Sequence, residues 1–253
     1  MRGSVFLMGS WGRVRRALVL AWLALWGAGW MGIGGECRAE LVFTELMVDP
    51  ASTPEGSWEY VEVYNSGLSA VDLAGFVLDD DDGDPIGGAN IAAGLVPPGG
   101  SAVLVSSSTS LAQLQIGWGT PINWVPVTSW PSMNNSGDRI GLWSSLSSYA
   151  GRDFASVVEE VDFLGTAPWP TADGVSSIYL TSLLADNSLG NNWSLSKVGT
   201  AEAYSSGPLG DNLASNIGSP GHLVPEPDGI GLAGVGLMVL VARLRRRHLN
   251  LAG

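Results

Sequence analysis

Five aspartates fall within six residues of this chain, in the run Asp79-Asp80-Asp81-Asp82-Gly83-Asp84. Carboxylates around a glycine turn suit Ca²⁺, because this hard cation binds about six to eight oxygens in a flexible cage. The run lacks the bidentate glutamate that completes an EF-hand loop. It therefore predicts either a calcium site at Asp79, Asp80, Asp81, Asp82 and Asp84 or a solvated acidic turn that blunts a sheet edge. The residues favour the acidic turn.

Seven tryptophans lie beyond residue 40, and most of them are expected to fill a core or to pack beneath loops. The alternative is a row of exposed indoles, which would stack on the apolar faces of sugar rings. Trp118, Trp124 and Trp130 are the best candidates for such a ligand-binding row, because they fall in a segment that prolines interrupt.

Catalytic chemistry has little support in the sequence. Glycoside hydrolysis needs two carboxyl groups facing one cleft, and no pattern places any two of Glu45, Asp49, Glu59 and Glu62 together. His222 is the only histidine between the two ends of the chain and no cysteine follows Cys37, so a zinc site or an imidazole-based triad is disfavoured. No glycine-rich loop fits a nucleotide-binding pattern. We predict no catalytic residues and a protein that is not an enzyme.

The charges are unevenly distributed along the 253 residues, whose formal net charge is −12. Nine of the twelve bases lie either between Arg2 and Arg38 or between Arg243 and Arg247. Residues 40–228 hold three bases against 23 acids, a formal charge of −20. Such a region repels the phosphate backbone, so nucleic acid is excluded as a partner.

The N-terminal segment, residues 1–39, has the features of a secretory signal peptide. Arginines at positions 13, 15 and 16 precede an apolar run over residues 17–33. Small residues then stand three and one positions before a predicted cut between Ala39 and Glu40. The sequence predicts cleavage there by signal peptidase, with an uncleaved membrane anchor as the alternative.

The C-terminal residues 224–253 combine a short motif, an apolar run and a basic stop. The apolar run over residues 229–242 is too short to be a good permanent anchor, because 14 helical residues span only about 21 Å. The tripartite pattern resembles the PEP-CTERM sorting signal of bacteria, which implies processing by an exosortase after a transient passage through the membrane. The sorting motif is Val224, Pro225, Glu226 and Pro227, and the basic stop is Arg243, Arg245, Arg246 and Arg247.

Between the two ends, a period of two in the hydrophobic pattern dominates and predicts a single β domain over residues 40–223. Turn-forming residues separate the strands, which favours a β-sandwich over alternating strands and helices. A short helix is predicted over residues 108–116. Strands are predicted at residues 41–48, 59–64, 71–78, 102–106, 139–143, 157–163, 177–181 and 193–196.

The opening strands resemble a lamin-tail domain. The residues that carry the resemblance are the runs 41–50, 59–65 and 71–78, followed by the turn at residues 98–100 and the closing Gly-Ser-Pro-Gly at 218–221. The resemblance implies an all-β fold, an immunoglobulin-like β-sandwich, here flanked by the signal peptide and a C-terminal hydrophobic sorting helix. Two departures from the pattern, at residues 79–84 and 117–133, are predicted to be loops.

Three functions remain open at this level. The first is an exported, non-enzymatic surface or extracellular-matrix protein that works in adhesion or binds extracellular polysaccharide. The second is a carbohydrate-active enzyme or its accessory binding module, and the third is a calcium-dependent adhesion unit. The expected location is the cell surface or the extracellular space, reached through an inner-membrane intermediate.

Overall fold

The computed structural model describes residues 41–119 and 121–222, and the signal peptide and sorting helix predicted at the two ends lie outside these residues. The described residues form thirteen strands. These are β1 Leu41–Met47, β2 Tyr60–Asn65, β3 Val71–Asp72, β4 Val77–Asp79, β5 Leu95–Val96, β6 Ser101–Ser106, β7 Trp124–Val127, β8 Gly137–Trp143, β9 Glu159–Leu164, β10 Ile178–Leu180, β11 Trp193–Leu195, β12 Tyr204–Ser205 and β13 Ile217–Gly218.

Helical structure is scarce in the described part of the chain. The α-helices are α1 Leu111–Trp118 and α2 Leu146–Tyr149, and single 3₁₀ turns cover Glu55–Ser57, Phe154–Ser156 and Gly190–Asn192. Serines begin both α-helices, because the side chain of Ser110 accepts from the Gln113 amide and that of Ser145 accepts from the Ser148 amide. Among the described residues, no helix has the length and apolar character needed to cross a membrane.

A six-stranded sheet has the order β11-β10-β1-β2-β6-β7, and all its neighbours are antiparallel except β6 and β7. A three-stranded sheet, β4-β8-β9, packs against it, and two small ribbons join β3 to β5 and β12 to β13. The main core lies between the two large sheets, where Val61 and Val63 meet Ile140 and Val161. This all-β arrangement is consistent with the expected immunoglobulin-like sandwich.

The six-stranded sheet is covered on both faces. The β2 residues Val61 and Val63 enter the main core, whereas Tyr60 belongs to a second cluster on the opposite face with Trp118 and Leu209. Helix α1 and the segment after residue 200 build this second layer. Every residue of β1 and β2 is therefore buried, although alternating strands normally leave one face in water.

Most predicted elements are confirmed with small shifts of their ends. The predicted helix at 108–116 begins three residues later than expected, and the predicted strand at 71–78 divides into β3 and β4. The predicted loop at 117–133 was wrong in part, because it contains β7, which pairs in parallel with β6. Pro126 of β7 is tolerated because β7 is an edge strand.

Replacing Asn65 with alanine is expected to lower the free energy of unfolding by about 2 kcal/mol. The side chain is fully buried, and its Nδ2 donates to the carbonyl oxygens of Ser69 (2.8 Å) and Val96 (3.0 Å). Its Oδ1 accepts from the Gly67 amide at 2.9 Å. Urea denaturation measures the loss, with the exposed Asn191→Ala as the matched control. Equal midpoints for the two variants would show that this turn does not depend on Asn65.

Candidate functional site

Glu45 and Glu62 face each other across β1 and β2, on the face of the sheet opposite the main core. A β-bulge between Phe43 and Glu45 makes Thr44 an extra residue, so that Glu45 pairs directly with Glu62. Both glutamates are buried, with 2% and 1% of their surface exposed. A directly opposed pair of buried carboxyl groups is costly unless donors surround it.

Donors from three parts of the chain surround Glu45. Its Oε1 accepts from the hydroxyl of Tyr60 (2.7 Å), from the hydroxyl of Ser177 and from the amide of Ser219 (2.8 Å). Its Oε2 accepts from the hydroxyl of Ser219 at 2.9 Å. Four donors satisfy this carboxyl group without any cationic side chain.

Glu62 completes the arrangement with two further bonds. Its Oε1 accepts from the hydroxyl of Thr44 at 2.8 Å, and its Oε2 accepts from the amide of Gly221 at 2.5 Å. The two glutamates thus bind the backbone of the closing segment, which is far from both of them along the chain. We call Glu45, Glu62 and residues 219–221 the carboxylate clasp.

The electrostatics of the clasp favour one proton on the pair. Burial, and next the charge of Glu45, raise the pKa of Glu62 to about 8, although the bonds from Thr44 and Gly221 lower it. Burial and the neighbouring Glu45 also raise the pKa of Tyr60 well above its ordinary value. Near neutral pH, Glu62 is therefore largely protonated, which relieves its repulsion with Glu45.

The clasp has the chemistry of a structural anchor. A hydrolytic carboxyl pair must reach a substrate and a water molecule, whereas both glutamates lie beneath the closing segment with protein donors on their oxygens. The sequence pattern did not place any two of the four candidate carboxylates together. The structure does bring Glu45 and Glu62 together, but in a position that a glycan cannot enter.

Glu59 lies in a separate, buried position. Its Oε2 accepts from the indole Nε1 of Trp130 (2.8 Å) and from the amide of Met133 (3.1 Å). Burial raises the pKa of Glu59 to about 7, and the charges of Glu55 and Asp138 act in the same direction. Glu59 therefore fastens the segment after β7 to the start of β2.

Asp49, the fourth candidate carboxylate, shares a hydrogen-bond donor with Glu55, the side-chain amide of Asn135. The Nδ2 of Asn135 donates to Asp49 Oδ1 at 3.1 Å and to Glu55 Oε1 at 2.6 Å. Burial, and next the charge of Glu55, raise the pKa of Asp49. The Oδ1 of Asn135 is buried without a hydrogen-bond partner among the described residues. This group ties the loop after β1 to the loop before β8.

The three tryptophans proposed as a sugar-binding row are not exposed together. Trp118 is buried and packs edge-on against Tyr60 and Tyr204, at centroid distances of 6.0 and 5.5 Å. Trp124 is buried as well, and Trp130 is half-buried with its N–H committed to Glu59. The structure does not bring these residues together as the alternative exposed row, because Trp118 and Trp124 lie in the second layer and Trp130 packs against the main core.

The acidic run divides into a buried start and an exposed end. Asp79 is buried and accepts from the hydroxyl of Tyr149 and from Arg152 Nε at 2.9 Å. Asp80 is also buried, and burial together with the charges of Asp138 and Asp79 raises its pKa to about 6. The remaining carboxylates, at Asp81, Asp82 and Asp84, are exposed.

Calcium binding by this run stays a prediction. The described residues contain no group of three or more His, Cys, Asp or Glu side chains arranged to hold a metal ion. Asp79 is already paired with Arg152, so a cation would have to depend on Asp80 and the exposed aspartates. The run begins at the last residue of β4, an edge strand of the three-stranded sheet, as an edge-blunting acidic turn would.

Several predicted processing residues lie outside the described part of the chain. These are the cleavage residues Ala39 and Glu40, the motif Val224, Pro225, Glu226 and Pro227, and the basic stop Arg243, Arg245, Arg246 and Arg247. His222, the last described residue, is exposed, and its ring contacts Tyr204 at a centroid distance of 5.6 Å.

Sequence reasoning missed the donors of the clasp, Ser177 and Ser219. Neither residue type attracts attention in a serine-rich chain, and the contacts join residues that are distant in sequence. The available signal was the pair of glutamates in strands with otherwise apolar neighbours. A buried carboxyl group in such a strand needs donors from elsewhere in the fold.

Comparison with known proteins gives one match. Residues 37–159 match the family model of the lamin tail domain, an immunoglobulin-like binding or structural domain and not an enzyme family. No curated protein and no solved structure matches the chain significantly. The matched segment ends where β9 begins, whereas β10 and β11 complete the six-stranded sheet beyond it.

Proposed function

We propose that this chain is an exported, non-enzymatic surface or extracellular-matrix protein built on a lamin-tail-like sandwich. A signal peptide over residues 1–39 would direct export, and the sorting signal over residues 224–253 would direct processing by an exosortase. The mature domain would work in adhesion or bind extracellular polysaccharide. The formal charge of −20 over residues 40–228 would keep the domain soluble among extracellular polymers.

The proposal is supported by the position in the chain at which the folded domain ends. The clasp binds Ser219 and Gly221, and the predicted sorting motif begins at Val224, three residues after Gly221. The fold thus occupies the stretch between the two predicted processing segments. A cargo domain flanked by removable signals would be arranged in this way.

A non-enzymatic role is supported by how the buried carboxyl groups are used. Glu45, Glu59, Glu62 and Asp79 each accept from two or more protein donors, so they serve the fold. The matched family points the same way. A carbohydrate-active enzyme is the alternative, and release of reducing sugars from polysaccharides by residues 40–222 would establish it.

The sorting step has a direct test in a bacterium that carries an exosortase. We expect the intact chain to reach the cell surface or the medium, and a variant with Pro225→Ala and Pro227→Ala to accumulate in the membrane fraction. The exposed Pro208→Ala is the matched control and should be sorted normally. Normal sorting of the double variant would contradict the proposed role of the motif.

Calcium-dependent adhesion is a second alternative, favoured by the crowding of carboxylates around Asp80 and Asp138. If this site exists, millimolar Ca²⁺ should raise the melting temperature of the protein and support self-association that a chelator reverses. The same addition to the Asp80→Asn variant should have no effect. An unchanged melting temperature of the unmodified protein would exclude this alternative.

A further inference from the structure

The outer face of the three-stranded sheet carries a groove of about 390 Å³, near the small end of the size range of ligand sites. It lies on the side of β8 and β9 that faces away from the main core, and none of the candidate residues from the sequence belongs to it. Its lining residues are Arg139, Glu160, Asp162, Leu164, Trp169 and Ser188.

The period of two in β9 creates one wall of this groove. Glu159, Val161 and Phe163 are buried, while Glu160, Asp162 and Leu164 alternate with them on the outer face. Leu164 is 51% exposed, so its apolar side chain is accessible at the end of the groove. The wall thus presents two carboxylates followed by an apolar end.

Arg139 of β8, the strand that pairs with β9, lies on the same outer face and is held in place by its neighbours. Arg139 pairs in register with Asp162, and its guanidinium group donates from Nε (3.0 Å) and Nη2 (2.7 Å) to Glu160 Oε2. The same group lies 3.8 Å from the ring centroid of Phe154. These contacts fix the position of a cation that would otherwise be flexible.

Unused hydrogen-bonding groups remain beside this fixed pair. The carboxylate of Asp162 is exposed and has no hydrogen-bond partner among the described residues, and neither does Nη1 of Arg139. A ligand hydroxyl group can donate one hydrogen bond and accept another. Asp162 offers the acceptor for such a group, and the neighbouring Arg139 offers the donor.

Trp169 supplies a second free donor. The residue is only 6% exposed because its ring packs on Trp193 at a centroid distance of 5.8 Å, yet its indole N–H has no acceptor among the described residues. This N–H is not among the fully buried unpaired atoms of the described residues, so it stays accessible to an acceptor that a ligand brings into the groove.

The charges of the groove narrow the class of ligand. Arg139 is one of three bases in residues 40–228, and Glu160 already neutralises it, which leaves the charge of Asp162. An anionic polysaccharide would be repelled by this groove and by the whole domain. A neutral sugar offers hydroxyls to Arg139, Asp162 and Trp169 and an apolar ring face to Leu164.

We propose that this groove binds a neutral hexopyranose unit of an extracellular glycan, through Arg139, Asp162 and the Trp169 indole N–H, with Leu164 against the sugar ring. The inference rests on the proposed function and gives the polysaccharide-binding role a location. That location differs from the tryptophan segment that the sequence favoured.

The test uses ¹⁵N-labelled protein spanning residues 40–222, which holds all three larger hydrophobic clusters of the described fold. The probes are cellotetraose, laminaritetraose and chitotetraose as neutral glycans, with tetragalacturonate as the anionic one. We expect a neutral tetrasaccharide to shift the Trp169 indole signal, while tetragalacturonate leaves it unchanged. Asp162→Ala and Leu164→Ala should each weaken binding about tenfold.

The controls remove the same side chains from exposed positions elsewhere, as Asp84→Ala and Leu68→Ala. These variants should bind like the unmodified protein, and the amide spectrum of each variant reports that it is folded. Absence of binding by all three neutral glycans overturns the inference, while export and sorting would stand. Binding that Asp162→Ala and Leu164→Ala leave unchanged overturns the location of the site and leaves the proposed polysaccharide-binding function intact.

Discussion

Replacing Glu45 with alanine is expected to lower the free energy of unfolding by about 4 kcal/mol. The change leaves the donors from Tyr60, Ser177 and Ser219 without their acceptor in a site that water does not reach. For a domain of this size, the loss corresponds to a fall in melting temperature of roughly 8–16 °C. Urea denaturation or calorimetry measures it.

The loss of these hydrogen bonds predicts which part of the fold opens first in Glu45→Ala. The closing segment should detach first, so the amides of Ser219 and Gly221 should exchange with solvent faster in Glu45→Ala than in the unmodified protein. Glu45→Gln should lose about half as much stability, because it keeps one acceptor oxygen. The exposed Glu202→Ala is the control and should change neither quantity. A loss below about 1 kcal/mol, or unchanged exchange at both amides, would show that the clasp does not anchor the closing segment.

The free energy of unfolding is expected to fall by about 3 kcal/mol between pH 5 and pH 9. The pKa of Glu62 is raised to about 8, that of Glu59 to about 7 and that of Asp80 to about 6. Between the ordinary and raised values the folded protein holds more protons than the unfolded chain, so the free energy of unfolding decreases as the pH rises. Relaxation of the fold around each carboxylate as it ionises keeps the total loss moderate.

Glu62→Gln isolates the contribution of the clasp to this pH dependence. The amide cannot ionise, so the decrease of stability between pH 6 and pH 9 should be smaller than in the unmodified protein. At pH 8.5 the variant should have a larger free energy of unfolding than the unmodified protein. Asp84→Asn, at an exposed position, should follow the unmodified curve. A stability that rises steadily from pH 5 to pH 9, or an unchanged slope in Glu62→Gln, would contradict the assignment of the raised pKa to Glu62.

The positions of the main strands could be predicted because one face of each enters the core. The alternation of Val61 and Val63 with larger side chains predicted β2, and the same period predicted β9. The second layer could not be predicted from this pattern, since it depends on contacts such as Glu45 to Ser219, which are 174 residues apart. A period of two shows that a strand has two faces but does not show that both are buried.

The segment with the tryptophans illustrates a different limit. Pro126 argued against a strand, although an edge strand paired in parallel with β6 accommodates it. Tryptophan is a residue type suited to sugar binding, but in the fold the rings of Tyr60 and Tyr204 pack against Trp118. Trp169, which offers an unused N–H to the groove, carries no local signal that separates it from the other six. Exposure of an aromatic side chain is a property of the fold and not of its neighbours in sequence.

We propose that this sandwich is an exported cargo whose two terminal segments are removed. The most direct measurement is mass spectrometry of the intact protein recovered from the surface or medium of an exosortase-bearing bacterium. We expect a mature chain that begins at Glu40 and lacks the apolar run over residues 229–242 and the basic residues Arg243 to Arg247. A recovered chain that keeps the predicted signal peptide ahead of Glu40, or that still carries the C-terminal arginines, would contradict the proposed route.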